Sequence, residues 1–182
     1  MIMSDTRISA IRSALLGRFS RLSLSTLSFN ALQQGIVERL ALELPHYSWT
    51  GFYMLDPDDP ETLVLGPFVG DPTSHVRIPV TQGICGAAVA TGETVIVDDV
   101  NSDPRYLSCS IKTKSEIVVP IYARGKVIGE IDIDSHDPAA FTEEDGAFLE
   151  ETAAYSATML SITPAGKPKH PFIRNLCEGF VV

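Results

Sequence analysis

Between His75 and Ser135 the chain gathers two of its three cysteines, Cys85 and Cys109. The same stretch holds a run in which acidic and aliphatic side chains alternate, Glu130-Ile131-Asp132-Ile133-Asp134. Residues two apart in a strand project to one side. The alternation therefore sets Glu130, Asp132 and Asp134 on one face and Ile131 and Ile133 on the other. The plain reading is the wet face of a half-exposed strand. Against it, three like charges in line repel one another, and a cation such as a substrate ammonium seated over them would offset that repulsion. Glu116 opens the apolar run IVVPI; taken alone it reads as a strand-end residue in water, and otherwise as a fourth acid of the same pocket. Thiols and carboxylates brought to one pocket make a small redox site or a site for a cationic small molecule.

The two cysteines differ in setting. Cys85 falls in the first turn of a short helix, where the dipole and unpaired N–H groups favour a thiolate. Its neighbours ICGAAVA are small and apolar, which equally suits a buried thiol. Cys109 lies in a polar loop with Lys112 and Lys114 close behind, the electropositive setting of reactive thiols. Cys177, in the C-terminal stretch, carries no role. No CxxC pair and no cysteine–histidine spacing suggests a metal, and no cofactor motif is present.

At 182 residues, with 45% hydrophobic and 20% charged residues, the chain has the balance of a globular protein. A formal charge of −9 repels nucleic acid and anionic lipid, so neither is expected as a partner. No apolar run reaches the roughly 18–20 residues of a membrane helix. The N-terminal MIMSDTRISAIRSALLG lacks the features of a secretory signal, and a cytoplasmic protein is the expectation.

The elements that must position these residues follow from periodicity. Ser4 to about Phe19 reads as a helix, while Arg21–Ser28, with alternating Leu and Ser, is ambiguous between strand and linker. A second helix runs from Asn30 to Leu44 and stops at Pro45. Tyr47–Asp56 and Thr62–Val69 form a hairpin around the turn DPDDPE. His75–Val80 is a third strand whose Pro79 marks an edge or a strand end. Gly83 introduces a short helix, Ile84 to Thr91, which Gly92 closes. Thr94–Val100 is a strand, Asn101–Ser110 a loop or single helical turn, and Ser115–Ala123 with Lys126–Ser135 a second hairpin turning at Arg124-Gly125. A last helix spans about Glu143 to Ile162, capped by Thr142. This order predicts an α+β domain: a six-stranded antiparallel sheet with terminal helices on one face and a ligand pocket under the short helix and loops on the other. Residues 1–28 are expected as a helical extension, 29–162 as the domain, and 163–182 as an irregular tail.

The pieces WTGFYML, TLVLGPF, VRIPVTQGICGAAVATGE, VIVDDV, SEIVVPI and GEIDIDS resemble the free methionine-(R)-sulfoxide reductase family, a branch of the GAF domains, over about Tyr47 to Leu160. The resemblance implies the sheet described above and a homodimer. It implies a catalytic thiol at Cys109, a second cysteine at Cys85, and substrate-binding acids at Glu116, Asp132 and Asp134, with Trp49 walling the pocket. Where three-cysteine members carry a resolving cysteine just ahead of VRIP, this chain has His75. The implied reaction is thiolate attack on the sulfoxide sulfur, a sulfenic acid on Cys109, then a disulfide with Cys85 that a thioredoxin-type reductant opens. The alternative is a non-catalytic GAF module that binds an amino-acid-like small molecule and signals through its terminal helices.

Overall fold

The computed structural model describes residues 5–26, 28–108 and 110–162; Cys109, Cys177 and the stretch 163–182 lie outside the described residues. Two helices, α1 (Asp5–Ser25) and α2 (Phe29–Glu43), precede strands β1 (Trp49–Leu55), β2 (Thr62–Val69) and β3 (Arg77–Pro79). Helix α3 (Gly83–Thr91), strands β4 (Val95–Val97), β5 (Ser115–Ala123) and β6 (Lys126–Ser135), and helix α4 (Glu143–Ile162) complete the order. The strands form one sheet in the order β3-β2-β1-β6-β5-β4, antiparallel at each pairing. β3, the strand containing Pro79, is an edge. That position suits a residue with no N–H to give to a ladder.

The β5–β6 hairpin turns through Arg124 (φ 53°) and Gly125 (φ 74°). Positive φ at both central residues matches the twist of the flanking strands, and a one-residue shift between Ile121 and Tyr122 then brings Glu116 opposite Asp134. α2 begins at Ser28, whose Oγ accepts from the Ala31 N–H. α3 ends at Gly92 in the left-handed region (φ 70°), as its position after the helix anticipates. At α4, Thr142 and Asp145 cap each other reciprocally: Asp145 Oδ2 accepts from the Thr142 N–H at 2.9 Å, and Thr142 Oγ1 accepts from the Asp145 N–H at 3.4 Å.

The ambiguous run after Phe19 is neither strand nor linker up to Ser25: Arg21–Ser25 is the last part of α1. The Leu/Ser alternation is overridden by packing. Leu22 fills the notch left by Gly35 of α2, where an added Cβ would stand 2.7 Å from Leu22 Cδ2. Strand Thr94–Val100 is likewise shorter than expected. It pairs over Val95–Val97, and Val100–Ser102 forms a single 3-10 turn that the Asp99 side chain caps.

The sheet separates two apolar clusters. On one face Ile117, Val119, Ile121, Ile131 and Ile133 pack against Leu15 and Phe19 of α1, Leu32, Ile36 and Leu40 of α2, and Phe148, Leu149 and Ala153 of α4. On the other, Trp49, Tyr53 and Val118 pack with Ile84, Cys85 and Ala88 of α3 and with Val97 and Val100. Because β5 and β6 alternate, burying the isoleucines under the helices turns Glu116, Glu130, Asp132 and Asp134 toward α3. Among the described residues, no helix is long and apolar enough to cross a membrane.

Candidate functional site beneath helix α3

The acidic face of β6 is not wet. Glu130 is wholly buried, Asp132 is 4% exposed, Asp134 6% and Glu116 5%. This corrects both plain readings, the solvated strand face and the strand-end Glu116. The cause is tertiary cover, since α3 and the loop before β5 lie over the face that alternation leaves polar.

Register fixes the neighbours. Asp132 stands between Gly51 of β1 and Val118 of β5, and Asp134 between Trp49 and Glu116. Cys85, in the first turn of α3, points down onto this row, and its thiol donates to Asp132 Oδ2 at 3.7 Å. Cys85 Sγ and one oxygen each from Glu116 and Asp132 all lie within 4.8 Å of one another. α3 reaches the sheet because Gly86 admits the backbone of the preceding turn; a Cβ there would meet the Val80 carbonyl oxygen at 2.7 Å.

Trp49 closes the row at its end. Its ring stacks on Phe68 (centroids 5.5 Å apart, planes at 19°) and more loosely on Tyr53 (6.3 Å, 28°). Its Nε1–H donates to the Asp71 carbonyl at 3.1 Å. The loop that contains position 109 is tied to the same wall at points on either side. Leu107 packs against Gly83 at the start of α3, and Lys112 Nζ pairs with Asp71 at 2.9 Å. Lys112, read from sequence as part of an electropositive setting for Cys109, is thus engaged with Asp71. His75 is half-buried, and its carbonyl accepts from the Tyr53 hydroxyl at 2.8 Å.

Burial and mutual repulsion shape the protonation of the cluster. Burial pushes the Glu130 carboxyl up to about 8, with the nearby Cys85 thiol pulling slightly the other way. Burial likewise raises Asp134 to about 7, against the effect of Thr113. Glu116 and Asp132 are held well above the ordinary carboxylate range, first by burial and then by the neighbouring acids. The Cys85 thiol is also pushed well up, by burial first and then by Glu130, Asp132 and Glu116. The helix dipole does not make Cys85 a thiolate here; burial and three surrounding carboxyl groups outweigh one helix end. Chemically, such a row offers a neutral carboxyl able to give a proton to an oxygen. An ammonium seated among the others would favour their ionised form.

Of the residues marked from sequence, Cys85, Glu116, Asp132, Asp134 and Trp49 come together under α3, and Cys109 lies outside the described residues. Glu130 and Tyr53, paired across β1 and β6 and buried on the same face, were not marked as binding residues. The alternation that selects Asp132 and Asp134 includes Glu130 as well.

A six-stranded sheet in this order, with terminal helices behind it and a short helix over a buried row of acids in front, defines a GAF fold. The GAF-domain profile matches residues 26–161, and the chain belongs to that family, in the branch of the free methionine-R-sulfoxide reductases. The free methionine-R-sulfoxide reductase of Escherichia coli is 38% identical over 145 residues, covering 74% of this chain and 86% of the relative. Protein YtsP of Bacillus subtilis is 44% identical over 110 residues, 60% of this chain and 66% of the relative, so the match spans just under two thirds of YtsP. The structure of free methionine-R-sulfoxide reductase from Neisseria meningitidis in complex with its substrate superposes with a TM-score of 0.79 at 34% identity, over 86% of this chain and 91% of that one.

Proposed function

We propose that this chain reduces free methionine-R-sulfoxide to methionine. The observation that carries the reading is the buried row Glu116, Asp132 and Asp134 beside Trp49, with no cationic side chain paired to it among the described residues. A free amino acid brings an ammonium that draws carboxyls of the row to their ionised form, and a thioether-sized chain for the indole. A peptide-bound methionine sulfoxide lacks the ammonium. The relatives' names support the same substrate.

In the reaction, the Cys109 thiolate attacks the sulfoxide sulfur while a protonated carboxyl of the row gives its proton to the sulfoxide oxygen. Methionine leaves with two electrons more than the sulfoxide held, and Cys109 keeps the oxygen as a sulfenic acid. Cys85 then condenses with it; an S–S bond forms and water departs. A thioredoxin-type dithiol in a reducing cytoplasm returns the two electrons and protons. The working unit is a homodimer.

The test is NADPH consumption coupled through thioredoxin reductase and thioredoxin, with the free R-sulfoxide as substrate. Turnover that Cys109→Ser abolishes is the expected result. Lack of turnover, or turnover that Cys109→Ser leaves intact, rules the mechanism out. One observation favours the second reading, a ligand-binding GAF module without turnover: the Cys85 thiol is buried among acids and is a weak nucleophile. Mass spectrometry after exposure to the sulfoxide separates the two. The reductase shows a Cys85–Cys109 disulfide, and the module shows unmodified thiols.

A further inference from the structure

We propose that Cys85, Glu116 and Asp132 form a binding site for one thiophilic divalent cation of the zinc and cadmium type, which occupies the chamber in competition with an ammonium ligand. The sequence has no metal-binding spacing, because its donors come from three separate elements, α3, β5 and β6. Their donor atoms nevertheless lie within 4.8 Å of one another. On a tetrahedral zinc, with bonds of about 2.3 Å to sulfur and about 2.0 Å to oxygen, sulfur and oxygen stand roughly 3.5 Å apart. The Cys85–Asp132 separation is already 3.7 Å. The remaining contacts close with side-chain shifts on the order of 1 Å, within rotamer wells.

A second observation points to a ligand independently of this grouping. Asp132 Oδ1 and both oxygens of Glu130 are buried without a hydrogen-bond partner. Buried acceptors left unpaired are costly, and Asp132 Oδ1 belongs to one of the three grouped donors, where a cation would satisfy it. The Glu130 carboxyl also lies near the Cys85 thiol.

The donor set also selects the ion. One sulfur with carboxylates suits zinc and cadmium. Magnesium and calcium take oxygen ligands and keep more of them than these three donors provide. Because Glu116 and Asp132 are also carboxylates assigned to the substrate ammonium, metal and amino acid exclude each other. The inference shares its chamber with the proposed reductase but none of its chemistry, so the two fail separately.

The experiment titrates the full chain, reduced with a phosphine, with cadmium while following the ultraviolet sulfur-to-cadmium charge-transfer band. Zinc affinity is read by competition with a chromophoric chelator. One equivalent per chain is expected, with the band retained in the Cys109→Ser/Cys177→Ser double variant, which keeps Cys85 as its single thiol. In that background Asp132→Asn and Glu116→Gln weaken binding at least tenfold, and zinc raises the thermal midpoint of the parent but not of either carboxamide variant. The carboxamides keep the shape of the acids, and circular dichroism checks their fold. A band lost in the double variant, affinity unchanged by both carboxamides, or lack of binding to the wild-type chain overturns the assignment.

Discussion

The indole of Trp49 lies directly over the α-carbon of Gly51, two residues along the same strand: a Cβ on Gly51 would stand 2.3 Å from Trp49 Cη2. From the other side Gly70, at φ 141°, leaves room for the ring, where a Cβ would meet Trp49 Cδ1 at 2.4 Å. Both glycines are therefore part of the pocket wall. Gly51 pairs across the sheet with Asp132, so the place of the indole and the width of the acidic row are set together.

Gly51→Ala is expected to expel the ring and to destabilise the fold by about 1–3 kcal/mol, the usual cost of overpacking. Trp49 is the only tryptophan, so its emission reports the displacement without interference. A red shift and a weaker response to methionine sulfoxide are expected. A double-mutant cycle with Trp49→Phe should show coupling between the two positions; additivity would mean that the contact does not hold the ring.

A carboxyl raised to about 8 in the folded chain and near 4.5 when unfolded keeps its proton in the fold over that window. The folded state then binds more protons than the unfolded one, so the contribution of Glu130 to stability falls as pH rises from about 4.5 to about 8. Cys85 from α3, Glu116 from β5 and Asp132 on β6 are the titratable groups around it. Glu130→Gln stays neutral throughout. Relative to the wild type it should gain on the order of 2–4 kcal/mol between pH 5 and pH 8.5. Urea unfolding at several pH values measures this, and parallel curves for the two proteins would refute it.

Asp145 joins three parts of the fold at the start of α4. It accepts from the Tyr47 hydroxyl at 2.8 Å, caps the helix with Thr142, and pairs with Arg12 of α1. Arg12 is largely buried, and the Tyr47 hydroxyl is held in its protonated form by burial and by Asp145. Asp145→Ala leaves the Tyr47 hydroxyl and the Thr142 N–H without their acceptor and Arg12 with Glu144 alone, and should cost about 2–4 kcal/mol. Tyr47→Phe, which removes one donor, should cost about 1 kcal/mol. Chemical unfolding of both variants checks the order; a loss below that of Tyr47→Phe in the alanine variant contradicts the hub.

Much of this architecture was legible in the chain. Period-two alternation set the carboxylates of β6 on one face, Gly92 and Thr142 marked helix ends, and Arg124-Gly125 marked the hairpin. What alternation does not encode is which face is covered. An acidic-aliphatic strand reads as half-wet. The cover here comes from α3 and the loop before β5, whose contacts are long-range and carry no periodic signature. The state of Cys85 was left open between a thiolate and a buried thiol for the same reason: its position on a helix is local, while the acids that raise it come from other strands. The Leu/Ser alternation after Phe19 misled in the opposite direction, because Leu22 is held in a helix by the notch at Gly35.

The buried state of Cys85 sets the order of events if the chain is a reductase. The first step needs Cys109 and a protonated carboxyl, and the second needs Cys85 as a thiolate. Since burial and the acids hold the Cys85 thiol well up, the disulfide step should be the slower one near neutral pH and should speed up as pH rises. Single-turnover experiments separate them. Wild type and Cys85→Ser should both release about one methionine per chain without added reductant. Only the wild type should then lose its dimedone-reactive sulfenic acid, at a rate rising by up to tenfold per pH unit below the thiol's pKa. A wild-type rate that does not change with pH would mean that some group other than the Cys85 thiolate resolves the intermediate. Methionine release from Cys109→Ser would remove that residue from the first step.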